Sequence, residues 1–272
     1  MQEFSVSPKA MASSLWRNRS LIRTLVQREV VGRYRGSLLG ILWSFFNPLF
    51  MLSVYTFVFS YVFKARWNVS SDSKSEFALV LFCGLLVFNI FAECVNRAPT
   101  LVLANVNYVK KVVFPLEILP WVSIGASLFH ALISLIVWVA VYTVLFGMPH
   151  LTIILLPLVI APLVLMVIGI SWVLASLGVY LRDVAQFVGI ITTTLMFVSP
   201  IFYPATALPE EYRQFLYMNP LTLIIEQTRE VLFWAKIPDF TSLAIYTLIS
   251  AIFAWLGFAW FQKTRKGFAD VL

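Results

Sequence analysis

The sequence predicts an all-α integral membrane protein: six transmembrane helices, an N-terminal amphipathic helix at the membrane interface, and two short re-entrant helices before the last span. Three observations lead there. Of the 272 residues, 60% are hydrophobic and 12% charged, whereas a soluble domain carries about 25% charged residues. Six apolar stretches approach the ~20 residues that cross a bilayer core as a helix. Lysines and arginines gather on one side of those stretches.

Residues 1–36 form a cytoplasmic N-terminus. It lacks the apolar run of a cleavable signal and carries Arg17, Arg19, Arg23, Arg28, Arg33 and Arg35. Between Ser14 and Tyr34 the arginines mix with Leu15, Ile22, Leu25, Val26 and Val30. That mixture suits a helix in the headgroup layer, apolar side down, with Arg28, Arg33 and Arg35 toward phosphates. A plain positive-inside anchor is the alternative.

Residues 37–262 form the transmembrane domain. Its spans run from Leu38 to Phe63, Phe77 to Val95, Ile118 to Phe146, Leu151 to Leu181, Val184 to Tyr203, and Thr241 to Phe261. The fifth is the least regular, because Pro200 and Pro204 crowd its end. Residues 263–272 are a cytoplasmic tail. With the N-terminus inside, 14 of the 20 lysines and arginines fall on the cytoplasmic side. Six spans return the chain to the same side, so both termini are placed in the cytoplasm. The formal charge of +7 is then a matter of topology and does not point to nucleic acid.

Residues 205–236 carry two helix starts. Leu208-Pro209-Glu210-Glu211 puts proline in a first turn with two acids behind it, and Asn219-Pro220 is an N-cap followed by proline. The second helix, Leu221 to about Trp234, is too apolar on one side for water. With Glu226, Arg229 and Glu230 it is also too charged for lipid. A pair of re-entrant helices dipping into the outer leaflet fits, the charges turned toward protein or a water-filled opening. An interfacial amphipathic hairpin is the alternative.

Little covalent chemistry is in evidence. Cys83 and Cys94 lie roughly 16 Å apart along one helix, too far for a disulfide, and read as small packing residues. No metal-ligand spacing occurs, and no G-x-x-x-x-G-K-[ST] phosphate loop, so the chain does not bind ATP in the Walker manner. The spans hold Glu93, Glu117 and His130. The two glutamates sit near the cytoplasmic boundary, where they reach water, and His130, whose partner the sequence does not name, reads as a satisfied packing histidine. That is poor support for a proton relay, so the energy source belongs to another subunit. For the alternative of an intramembrane transferase of lipid-linked sugars, Glu226, Arg229 and Glu230 are the one candidate cluster.

Five segments carry a resemblance. They are Tyr34-Arg35-Gly36-Ser37-Leu38-Leu39-Gly40-Ile41-Leu42-Trp43 with Asn47-Pro48-Leu49; Tyr108 through Pro120; Tyr180-Leu181-Arg182-Asp183-Val184; Ser199-Pro200-Ile201-Phe202-Tyr203-Pro204; and Asn219-Pro220-Leu221. In this order, over residues 20 to 262, they resemble the permeases of polysaccharide ABC exporters, the type 2 group that serves O-antigen, capsule and teichoic acid. The resemblance implies a homodimer of six-span permeases, two copies of a separate ATPase subunit that holds ATP and Mg, and a lipid-linked polysaccharide substrate. It implies no cofactor in this chain and no enzymatic activity of its own. An ABC permease for drugs or other lipids is the runner-up.

On this reading the loop Asn105 to Lys111 is a coupling element. Tyr108 and Val109 supply its tip, Lys110 and Lys111 its charge, and Pro115 with Pro120 a stiff exit; positive-inside anchoring explains only the lysines. Arg182 and Asp183 form a second, smaller contact or a bare loop ion pair. Candidate channel-lining residues are Trp43, Phe46, Phe50, Phe57 and Tyr61, at helical spacing on the first span, with Thr193, Phe202 and Tyr203 from the fifth. Aromatic faces hold the C–H faces of sugar rings without demanding a fixed hydrogen-bond pattern. A second aromatic face, Phe45, Tyr55, Phe59 and Phe63, leaves lipid-facing packing open, and the hydroxyls also serve as interhelical glue.

Overall fold

A computed structural model describes residues 5–62, 67, 74–110 and 114–272; the side chains of residues 60–62, 74 and 110 lie outside the description. All regular structure among the described residues is helical. Lys111 and Phe63 therefore fall outside the described residues, as do the side chains of Tyr61 and Lys110.

Helix α1 (Pro8–Arg17) starts where the Ser7 hydroxyl accepts the Ala10 N–H at 3.1 Å, with Pro8 in its first turn. After a break at Asn18, α2 (Arg19–Arg33) packs Leu25 against Ile118 and Val122. Its apolar side is thus covered by protein as well as available to a membrane surface. A 3-10 turn, Gly40–Leu42, leads into α3 (Trp43–Tyr55), which carries Pro48 inside and continues as a π-helical turn, Thr56–Val62.

Helix α4 (Lys74–Arg97) is the hub of the bundle: every residue from Phe77 to Phe88 is buried, beneath α6, α7, α8 and α10. The short α5 (Val106–Lys110) precedes α6 (Leu119–Phe146). Helices α7 (Leu156–Tyr180) and α11 (Phe240–Thr264) make the most extensive pairing in the molecule. Small residues explain it: a Cβ on Gly257 would strike the Gly169 carbonyl, and one on Gly169 would meet the Ala254 backbone at 3.0 Å. Close backbone approach of this kind is how helices associate where the solvent is itself apolar.

Among the described residues, five helical segments are long and apolar enough to cross a membrane: Gly40–Phe59, Ser75–Thr100, Leu116–Phe146, Leu151–Tyr180 and Phe240–Val271. The expected fifth span, Val184 to Tyr203, is shorter than its sequence suggested. Helix α8 (Val184–Val198) has 15 residues, about 22 Å, and stops where Pro200 cannot continue the ladder. Helices α9 (Glu210–Met218) and α10 (Pro220–Leu232) follow, each starting at its expected proline. The Asn219 side chain accepts the Leu221 N–H at 3.0 Å.

Residues 263–272, expected as a tail, fold back. Helix α12 (Phe268–Val271) buries Phe268 completely against Tyr180 and Phe261. Cys83 and Cys94 are buried free thiols.

Candidate functional site: a polar cavity and two charged clusters

Three helices and the end of α2 enclose a cavity of about 720 Å³. Helix α3 contributes Trp43, Asn47, Met51 and Tyr55, one residue per turn. Helix α4 contributes Asn89, Glu93 and Asn96, and α6 contributes Ser127, His130 and Ser134. Each set recurs at three- or four-residue spacing and therefore shares a helix face. The sequence analysis missed the α4 and α6 stripes as a set, although their spacing is visible in otherwise apolar runs.

At the cavity mouth Arg33 Nη1 lies 2.7 Å from Glu93 Oε1 and 2.8 Å from His130 Nδ1. His130 Nδ1 is itself 3.1 Å from Glu93 Oε1, and Tyr34 stands edge-on to the imidazole. The sequence named no partner for His130; the structure supplies these two. The partners come from α2 and α4, far away in sequence. Beside this cluster Arg97 Nη2 meets Glu29 Oε1 at 2.5 Å. Arg28, expected to face phosphate, donates to the Tyr108 hydroxyl at 3.1 Å. Both Arg28 and Arg33 therefore reach protein groups, while Arg35 is exposed.

The second cluster sits at the root of the α5 loop. Glu117 is buried and pairs with Arg265 Nη1 at 2.7 Å; Ser14 Oγ donates to its other carboxylate oxygen at 3.0 Å. Arg265 Nη2 also donates to the Phe114 carbonyl, and Trp172 Nε1 to the Glu117 carbonyl. Glu117 was expected to reach water; instead α1, α7 and the end of α11 close over it. Phe114 stacks on Tyr108 with ring centroids 4.3 Å apart. Tyr108 and Val109 are thus half-buried, resting on the bundle. Arg182 and Asp183 lie exposed in the connection from α7 to α8.

The third cluster lies on α10. Arg229 is fully buried. Its Nη1 pairs with Glu226 Oε1 at 2.9 Å, Nη2 donates to the Ile201 carbonyl at 2.9 Å, and Nε donates to the Val80 carbonyl at 3.2 Å. The guanidinium also lies over the Trp67 ring, 4.2 Å from its centroid, a favourable cation–π geometry. With its donors aimed at fixed acceptors, Arg229 ties α10 to α4 and to the Ser199–Tyr203 turn. Glu230 approaches Lys236 at 4.0 Å. Arg229 turns into the protein, whereas the Glu226 and Glu230 side chains remain 36% and 32% exposed.

Among the proposed channel residues whose side chains are described, only Trp43 lines this cavity. Phe46, Phe50 and Phe57 are exposed on other faces of the same segment. Thr193 is exposed and lines a shallow groove on α8 with Gln186 and Gly189. Phe202 stacks on Phe59 and Phe197, and the Tyr203 hydroxyl donates to the Val198 carbonyl at 3.0 Å. The structure thus splits the predicted aromatic set between an inner cavity and outward surfaces.

Sequence comparisons agree with this architecture along nearly the whole chain. The chain is 27% identical over 262 residues to the O-antigen export system permease protein RfbA of Myxococcus xanthus, covering 96% of this chain and 98% of that protein. It is 27% identical over 254 residues to RfbA of Klebsiella pneumoniae (93% and 95%). It is 25% identical over 256 residues to the polysialic acid transport protein KpsM of Escherichia coli (90% and 93%). A sequence profile described as ABC-2 type transporter matches residues 20–233. The chain belongs to the ABC-2 type transporter family.

Proposed function

We propose that this chain is the permease subunit of an ATP-driven exporter that moves a lipid-linked polysaccharide across the bacterial cytoplasmic membrane. The observation that carries this reading is the near full-length similarity to permeases named for O-antigen export and polysialic acid transport. The polar cavity within an otherwise apolar bundle supports it. The chain provides a passage; two copies of a separate ATPase subunit, holding ATP and Mg, provide the work, and two permeases assemble as a homodimer. Both termini face the cytoplasm.

In this arrangement α8 and the turn after it make a shortened fifth span, bringing the count to six, and α9 and α10 are re-entrant. The Arg229–Val80 bond lies two turns from the start of α4, about 9 Å, which supports placing α10 within the outer leaflet. Helix α5 couples the permease to the ATPase, with Arg182 and Asp183 as a smaller contact. The face of α3 that carries Phe46, Phe50 and Phe57 and the Thr193 face of α8 meet the partner permease or the substrate.

The experiment is affinity co-purification of the tagged chain in mild detergent, followed by an ATPase assay on the eluate. A stoichiometric partner with a phosphate loop and vanadate-sensitive turnover is expected; a chain that purifies alone, without ATPase, overturns the reading. Tyr108→Asp and Val109→Asp are expected to abolish export while leaving membrane insertion intact. Normal export by both removes the coupling role.

A further inference from the structure

The cavity between α3, α4 and α6 has a composition that a water-filled crevice or a lipid pocket does not require. We propose that it is a sugar-binding site, holding rings of the transported glycan through the carboxamides of Asn47 and Asn89; this rests on the permease reading above.

Asn89 is the anomaly from which the case starts. From Phe77 to Phe91 every residue of α4 is buried except Asn89, which faces the cavity. Its carboxamide, like that of Asn47 across the cavity, has no hydrogen-bond partner among the described residues. Both carboxamides are exposed to the cavity, so the space they share is lined by polar groups free to bond whatever enters it, which a lipid pocket does not require. Each carboxamide offers both donors and an acceptor, the complement of a ring hydroxyl, which both donates and accepts. Asn47 has Trp43 one turn before it and Tyr55 two turns after it on the same helix face, and their electron-rich rings attract C–H groups. Ser134 adds a hydroxyl whose proton is already given to the His130 carbonyl, leaving it an acceptor.

The charges decide what class of polar group enters. Arg33 and Arg97, the cations at the mouth, are held by Glu93 and Glu29, and Glu93 is held in turn by Arg33 and His130. No uncommitted charge is left among the described lining residues, so neither a phosphate nor an ammonium finds a counter-ion. A neutral ring with hydroxyl edges and apolar faces does find its complement. The volume, about 720 Å³, is within the range of specific ligand sites.

The test places a benzophenone amino acid at position 89 in exporting cells, with a parallel strain carrying it at position 50 on the exposed face of α3. After irradiation the purified chain is stained for glycan and its adducts are weighed by mass spectrometry. Glycan attached at position 89 is the expected result. Glycan at position 50 alone overturns the cavity assignment while leaving the permease reading intact. Glycan at neither position overturns both, and a phospholipid adduct at 89 without glycan identifies the cavity as a lipid pocket. Asn89→Leu and Asn47→Leu provide an independent arm that keeps side-chain volume. Each is expected to slow export about five- to tenfold, the weight of one lost hydrogen-bonding group, with the ATPase partner still bound in full. Unchanged export by both overturns the proposal.

Discussion

Arg229 and Arg33 sit in the same bundle and both pair with a glutamate, yet the pairs are built for different tasks. The Arg229 side chain is 1% exposed, and its donors meet one carboxylate and two backbone carbonyls of other elements. The Arg33 side chain is 45% exposed and leans on Glu93 and His130. A buried guanidinium surrounded by fixed acceptors cannot be released without leaving several groups unpaired. A half-exposed one exchanges its partner for water at little cost. The first arrangement fastens helices permanently; the second suits the mouth of a cavity that must open.

The most disruptive change expected is Arg229→Met. It strands the Val80 and Ile201 carbonyls and Glu226, and costs about 3–5 kcal/mol, read as a large drop in thermal unfolding temperature in detergent. An unchanged temperature would show that Arg229 is not the fastening described here. Next is Gly257→Val. Its side chain would collide with the Gly169 carbonyl and force α7 from α11, an overpacking cost of about 1–3 kcal/mol visible as lost monodispersity on size exclusion.

Arg265→Gln leaves Glu117 buried without its ion partner, and we expect destabilisation of about 3 kcal/mol. The double substitution Glu117→Gln/Arg265→Met removes both charges and is expected to recover most of that loss, as buried pairs replaced together do. If the double variant is as unstable as the single one, the Ser14 and Phe114 contacts matter more than the charge pair. Arg33→Ala is expected to change stability by less than ~1 kcal/mol, since its side chain is largely solvated. A loss as large as that at Arg229 would erase the contrast between the two sites. An effect of similar size is assigned to Tyr108→Phe. It removes the Arg28 hydrogen bond, about 1 kcal/mol, and keeps the stack on Phe114.

Helix positions followed from the sequence wherever a single local rule governed. Pro209 and Pro220 start α9 and α10 because proline at a first turn forfeits no intrahelical bond. The apolar runs of α6 and α7 end within a few residues of their expected limits. The expectation for the fifth span ran long because hydropathy continued through Ile201 and Phe202, whereas the backbone stopped at Pro200. Glu117 was misread, and the partners of His130 went unnamed, for a shared reason. Each depends on a partner more than 30 residues away, and no local pattern reveals which helices will be neighbours.

From its sequence alone the chain was determined to be helical, membrane-embedded and of a transporter family, because apolar run length, proline placement and ordered motifs act locally or additively along the chain. Only the tertiary structure decided that Asn47 and Asn89 face one cavity and that Glu117 is shut beneath α1. It likewise decided that Arg229 fastens α10 to α4. Burial and pairing depend on which faces of separate helices meet, and that is set by packing across the whole bundle: small residues where backbones touch, and side-chain charges where no water remains to satisfy them.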